Sequence, residues 1–257
     1  MNLVIIWAIA ANCFQETIRD RVLYFLAFYG LLLAIAWPLL REISANTQDK
    51  IFLDFGLGVM GLFGAIVAIF IGTGLINKEI EKRTVLVLIP KPISRAEFIL
   101  GKHLGLSAVL GVMVTGMMGI YLGLLSWAGI AYPLGSIFIA VVYLFLQLAL
   151  IIAVSIVFGV FTSSILAILF TFGVYLMGNF TTDLVELVRL NENPAIKRLI
   201  EILYLILPDL SRLDLKNEAV YGLTKLNIEL LTHGLYGIFY TVVLLAIAIL
   251  IFAQREF

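Results

Sequence analysis

Charged residues in this 257-residue chain come in clusters, and long apolar runs separate them. A helix crossing the roughly 30 Å hydrocarbon core of a bilayer needs about 20 predominantly apolar residues. The run 22–40 meets that need, starting directly after Arg19-Asp20-Arg21 and closing at Trp37-Pro38. A second run covers 55–76. A third region opens at Leu104 and holds no charged residue until Asp183, a stretch of 79 residues that suits three crossings with turns. Gly129 to Pro133, with Gly135-Ser136, marks one break, and Thr162-Ser163-Ser164 marks the other. Spans are therefore expected at 104–128, 137–160 and 165–180, with a last one at 234–253. Lipid offers no water to unpaired backbone groups, so spans are helices or strands of a closed barrel. Stretches such as 165–170 are apolar on every side rather than alternating at period two, which selects the helix. The pattern predicts an all-α membrane protein of six transmembrane helices, forming one domain over 1–257.

Composition agrees with that reading. The chain is 62% hydrophobic and 13% charged, against about 25% charged in soluble domains, and its mean hydropathy is +1.10. Seventeen Lys and Arg balance seventeen Asp and Glu, so no net basic field exists to attract nucleic acid. The single cysteine, Cys13, excludes an internal disulfide. Six spans put both ends on one side. The side carrying the ends and the loop 77–103 has nine Lys and Arg in 52 residues, whereas the other has eight in 75. The denser side is read as cytoplasmic. The first twenty residues lack the basic start and cleavage site of a secretory signal. Asn12, Glu16 and Arg19 share one helical face there, with Ile6, Trp7, Ala10 and Phe14 elsewhere. That arrangement predicts an interfacial helix over 1–21, in contact with membrane lipid.

No Asp, Glu, Lys, Arg or His falls inside the six expected spans. Such residues mark proton relays, ion paths and voltage sensors, so those mechanisms are disfavoured, while sodium coupling stays open. His103 and His233 are expected at opposite faces of the membrane, which argues against a shared metal site. No Gly-x-Ser-x-Gly or His-Glu-x-x-His occurs to support hydrolase chemistry, and no catalytic, cofactor or metal residue is assigned. Small residues form ridges: Gly64, Ala68 and Gly72 in the second span, Gly111, Thr115, Gly119 and Gly123 in the third, with Gly101-x-x-x-Gly105 leading in. Such ridges let helix backbones approach closely, either as static packing or as an interface that slides. Gly119→Leu is accordingly expected to disturb packing. Gln147 and Asn179 are the strongest hydrogen-bonding groups deep in the spans, and they either line a path or bond across helices.

Two polar segments remain. The loop 77–103 has a charged half, an apolar stretch, Pro90-x-Pro92 and a new helix start. Ser94-x-x-Glu97 reads as a capping box, in which Ser94 accepts the Glu97 amide and the Glu97 carboxylate accepts the Ser94 amide. The prolines end any helix before them. The expected result is a short coupling helix along the inner surface, a rigid corner, and a helix rising into the third span: the geometry of a lever. Basic residues alone would serve as a topology signal, but the interleaved Glu79, Glu81 and Glu97 favour the lever. The segment 181–233 is long for a structureless connection. Asn193-Pro194 restarts a helical pattern through Leu207 that is too short and too charged to span, so short outer helices are expected, either re-entrant or lying on the surface.

The run Asn12-Cys13-Phe14-Gln15-Glu16-Thr17-Ile18-Arg19-Asp20-Arg21, the segment Glu79-Ile80-Glu81-Lys82-Arg83-Thr84, Pro92 to Phe98 with Gly101-Lys102, and Leu207-Pro208-Asp209-Leu210 resemble permeases of the type-2 ABC transporter family. The likeness extends over essentially the whole chain. It is nearest to the branch that includes the permease of nitrous oxide reductase maturation and related bacterial exporters. The resemblance implies a dimer of permease copies in the bacterial inner membrane, bound by cytoplasmic ABC ATPase subunits that hold ATP and Mg. It also implies that Glu79, Ile80, Glu81, Lys82, Arg83 and Thr84 dock in the ATPase groove, braced by Ser94, Arg95, Glu97 and Lys102. The chain has no Gly-x-x-x-x-Gly-Lys-[Ser/Thr], so it is expected to have no ATP site of its own and no enzymatic activity. An ion-coupled secondary transporter and a non-transporting assembly factor are the alternatives. The cargo is open.

Overall fold

A chain this apolar satisfies its backbone within helices, and helices account for every extended element seen. The structure, a computed structural model, describes residues 2–18, 22–43, 47–81, 94–181, 206–224 and 227–254, together with 197, 198, 200, 202 and 204. Its helices are α1 (Leu3–Thr17), α2 (Leu23–Ile43), α3 (Gln48–Glu81), α4 (Arg95–Ala128), α5 (Leu134–Phe161), α6 (Ser164–Asn179), α7 (Lys216–Val220) and α8 (Ile228–Gln254). A 3-10 turn covers Ser211–Leu213.

Five of these, α2, α3, α4, α5 and α8, are long and apolar enough to cross a membrane. The expected fifth span is α6, whose 16 residues reach only ~24 Å at 1.5 Å each. Breaks fall where turn chemistry placed them. Gly129 ends α4 in the left-handed conformation at φ 71°, which a glycine adopts without penalty, and its amide closes on Leu125 and Ser126. Thr162 is extended between α5 and α6.

The helices nevertheless overrun the apolar windows. α2 continues through Pro38 to Ile43 instead of closing there. A single proline forfeits one hydrogen bond, which a membrane helix absorbs. α3 starts at Gln48 and takes in Asp49, Lys50 and Asp54, and α4 starts nine residues before Leu104. α3 and α4, at 34 residues each, extend ~51 Å, far beyond the hydrocarbon. Hydropathy locates the lipid and not the end of the helix. The ionisable groups thought to lie outside the spans are thus partly helical and buried, with Glu97 at 4% exposure, Lys102 at 5% and His103 at 8%.

Side-chain contacts fix the directions. Leu26 meets Gly116 and Gly30 meets Ile120, so α2 and α4 run the same way, from an end that contains the start of α1 toward a far end. Gly64 meets Leu148 and Gly72 meets Ser155, so α3 and α5 both return. α5 is the central helix: Leu150, Ile151, Ala153, Ile156 and Val160 are each 0% exposed. A helix that is apolar all round belongs in the interior, and α5 has the most apolar window of the chain. Leu231, Leu235 and Phe239 of α8 and Ile165 and Leu169 of α6 face outward, forming a mantle suited to lipid.

The two ridges have different fates. A Cβ on Gly72 would lie 1.9 Å from Ser155 Oγ, and one on Gly64 would lie 2.5 Å from Leu148 Cδ1, so this ridge is the α3–α5 contact. On α4 a Cβ at Gly119 or Gly123 meets nothing within 4 Å, and Thr115 Oγ donates to the Gly111 carbonyl of its own helix at 2.7 Å. The expected disturbance by Gly119→Leu is therefore corrected: a Cβ on Gly111 of this ridge would meet Phe145 at 3.4 Å, but Gly119 has no described neighbour to displace. Gly72→Leu is predicted to cost about 1–3 kcal/mol by overpacking, whereas Gly119→Leu leaves the isolated chain's thermal midpoint unchanged. Denaturation of the two variants in mild detergent separates them.

Candidate functional site

Three helix ends converge where α4 begins. Ser94 is extended and caps α4: its hydroxyl accepts the Glu97 amide at 3.2 Å, while Glu97 Oε2 accepts the Ser94 amide at 2.9 Å. The capping box expected from the sequence is present. The same carboxylate does more. Its Oε1 accepts the amide of Asn2 at 2.6 Å, and Asn2 is itself the N-cap of α1, accepting the Val4 amide at 3.0 Å. Two helix N-termini, each with orphan amides and a positive dipole end, thus share one buried anion. The two amides hold this carboxyl below its ordinary range at the foot of α4, which projects beyond the apolar stretch 104–128.

Arg95 supplies the opposite pairing. Its Nη1 donates to the Phe252 carbonyl at 2.7 Å and also to the Ala253 carbonyl, so a guanidinium caps the negative end of α8. Phe98 stacks on Phe252 with ring centroids 5.6 Å apart. Lys102 is buried with its ammonium 5.8 Å above the Phe98 ring. His103 contacts the Ala149 carbonyl through Nε2 at 3.1 Å, tying the same foot to α5.

α1 follows α4 in the same direction. A Cβ on Gly101 would meet Ile9 Cβ at 2.7 Å and the Ile6 carbonyl at 3.1 Å, while one on Gly105 would meet the Ala10 carbonyl at 2.6 Å. The Gly101-x-x-x-Gly105 pair is therefore the notch that seats α1, and Ile6, Ala10, Cys13 and Thr17 are the stripe that fills it. Asn12 and Glu16 are exposed, as are Leu3, Val4 and Trp7. Arg19 lies outside the described residues. Glu79, Ile80 and Glu81 fall in the last turn of α3, while Lys82, Arg83, Thr84, Pro90 and Pro92 lie outside the described residues. Ser94, Arg95, Glu97 and Lys102 are brought together. The first half of the expected coupling segment continues α3 as far as Glu81.

Between the middle of α5 and the far end of α6, Gln147 Nε2 donates to Asn179 Oδ1 at 2.9 Å, so the two expected polar residues meet across these helices. They also line a cavity of about 130 Å³. Pro208-Asp209-Leu210 closes this end: the Leu210 amide donates to Gly178 at 3.0 Å, and the Asp209 amide donates to the Tyr236 hydroxyl oxygen at 2.8 Å. The described residues between 197 and 206 are helical. Sequence reasoning missed Asn2 and the partners of Arg95. An Asn before an apolar run is a readable cap, but nothing in the sequence announces a guanidinium reaching a helix end 157 residues away.

A family model of ABC-2 family transporter proteins matches residues 7–257. The chain belongs to the ABC-2 transporter family. It is accordingly a multi-pass membrane protein and a permease component of an ABC transporter, a class whose membrane subunits work with an ABC ATPase. The match covers the notch, the capped foot of α4 and the far-end closure alike. Comparison with curated proteins gives no match.

Cys13, the single cysteine, is 1% exposed between α1 and α4. Its thiol reports whether α1 is docked in this ABC-2 permease. Gly105→Leu, which drives a side chain into the Ala10 backbone, is predicted to raise the maleimide labelling rate of Cys13 by about tenfold or more, the effect of roughly 1.4 kcal/mol of local opening. The rate is read by mass shift in mild detergent, with Gly119→Leu as the variant expected to label like the unaltered chain.

Proposed function

We propose that this chain is the membrane-spanning subunit of an exporter driven by a separate cytoplasmic ATPase, with the segment from Glu79 to Lys102 receiving the force. The observation that carries this reading is the joint at the foot of α4. Within that segment Ser94, the N-cap of α4, is capped by a carboxylate that also holds α1, and its neighbour Arg95 holds the end of α8. A push delivered at this corner acts on three helices together rather than bending a loose connection.

The remaining assignments follow the same reading. The ATPase binds ATP and Mg, and Glu79, Ile80, Glu81, Lys82, Arg83 and Thr84 form its docking edge. Two permease copies assemble in the inner membrane with both termini cytoplasmic. α6 is the fifth of six crossings, and Leu210 returns to the Gly178 carbonyl at its outer end. α1 serves as the interfacial elbow, with exposed Leu3, Val4 and Trp7 toward lipid. Within the family, the Glu79–Thr84 and Pro92–Phe98 motifs favour the nitrous oxide reductase maturation branch.

Purification of the tagged chain in mild detergent is expected to bring down a soluble ABC ATPase. Glu81→Arg is predicted to leave membrane insertion and thermal stability unchanged while reducing the recovered ATPase about fivefold or more, the effect of ~1 kcal/mol at a charged contact. Normal recovery together with normal nucleotide-dependent transport in that variant would make Glu81 a solvated charge.

A further inference from the structure

The far half of the bundle holds a partly open cavity of about 130 Å³ between α3, α5, α6 and the turn leading into α7. That is room for several waters or for a small polar group. Glycines create the space. A Cβ on Gly58 would lie 3.8 Å from Lys216 Cδ, and one on Gly61 would lie 3.6 Å from Leu144 Cδ1, so larger side chains fit at both positions only by entering the cavity.

Hydrogen-bond accounting shows what the cavity lacks. Gln147 is 5% exposed and gives one amide hydrogen to Asn179 Oδ1; Asn179 in turn gives one to the Tyr175 carbonyl at 2.7 Å. Gln147 Oε1 accepts from no described residue, and the Tyr175 hydroxyl makes no hydrogen bond among the described residues. Both side chains line the cavity. The Gln147 amide oxygen and the half-buried Tyr175 hydroxyl are left to be satisfied by whatever occupies the cavity, water or ligand. The complement to an amide oxygen, spare amide hydrogens and a phenol is a group that both donates and accepts, which is a hydroxyl.

Charge narrows the class. Lys216 Nζ lies 3.6 Å from Asp54 Oδ1 at the rim, and Asp214 Oδ1 accepts the Lys216 amide at 3.1 Å. These three rim charges sum to minus one, which opposes an anionic head such as a phosphate. The inner groups are neutral. Leu57, Leu144, Leu213 and Leu215 supply apolar wall, and Leu62, 48% exposed, opens one side toward the lipid-facing surface.

We propose that this cavity binds an uncharged hydroxyl-bearing group of about glycerol size, carried by a neutral membrane lipid or by a free polyol. Gln147 and Tyr175 contact its hydroxyls, and the leucines contact its carbons. Binding here requires neither ATPase nor nucleotide, so it stands or falls separately from the coupling role of the α4 foot.

The test uses the full chain in phosphatidylcholine nanodiscs. The probes are 1-monooleoylglycerol, free glycerol, and methyl oleate, which has the same acyl chain and no hydroxyl. A saturable rise in thermal midpoint of about 2–4 °C is expected with monooleoylglycerol and none with methyl oleate. Tyr175→Phe removes only the unmatched hydroxyl and is expected to raise the half-saturating concentration roughly fivefold. Gly61→Val fills the cavity and is expected to abolish the response. If Gly61→Val does not fold, Tyr175→Phe decides alone. A variant-sensitive rise with glycerol as well identifies a soluble source, and one with the lipid only identifies the membrane; either sustains the site. Equal responses in the unaltered chain and Tyr175→Phe, an equal response to methyl oleate, or no response to either hydroxyl probe would overturn it.

Discussion

A single carboxylate at one end of this bundle holds two helices by their amide ends. Glu97 accepts the backbone of Ser94 and of Asn2, segments far apart in sequence whose helices both present positive dipole ends to it. Arg95, two residues earlier, binds the negative end of α8. In water such contacts would be minor. Here the carboxylate itself is buried while its partners Asn2, Ser94 and Arg95 remain exposed, and each contact satisfies a helix end that would otherwise have orphan groups. The position of α1 depends on this exchange, as does the register of α8 against α4.

Away from that end the bundle is held by shape. Lipid is as apolar as leucine, so burying leucine from lipid contributes little and close approach contributes most. α3 lies against α5 through Gly64 and Gly72, and α1 lies against α4 through Gly101 and Gly105. The aromatic hydroxyls follow the same logic: Tyr121 places its ring over Gly56 and donates to the Leu53 carbonyl at 2.9 Å, so a large polar side chain is accommodated without an unmatched hydroxyl. Glycines are thus spent where a neighbour needs room, and the α4 stripe at Gly119 and Gly123 shows that spacing alone does not identify such a neighbour.

That contrast explains what could be read in advance. Apolar runs and turn residues located the helices well: Gly129, Pro133 and Thr162 bound α4, α5 and α6 as expected. Helix ends were less legible, because α3 and α4 continue past the lipid on the strength of their own hydrogen bonds, and hydropathy is blind to that. At the functional site the local motif was fully legible, since Ser94 and Glu97 are three residues apart and the capping box is a short-range device. The second role of Glu97 and the reach of Arg95 depend on segments distant in sequence. No spacing rule encodes them. Gln147 and Asn179 were legible as polar exceptions in apolar helices, but their meeting and the cavity beside them required the packing of α5 on α6.

The joint links the family assignment to a physical mechanism. An ABC-2 permease receives work from outside the bilayer, and a foot fastened to three helix ends can pass a displacement on without dissipating it in a flexible corner. The most direct test is hydrogen exchange on the full chain in nanodiscs, comparing the unaltered protein with Glu97→Ala. If one carboxylate fastens both helix starts, amides of residues 3–6 and of 95–98 lose protection together, while those of α5 are unchanged. Loss confined to the first turn of α4, with α1 as protected as before, would contradict the account.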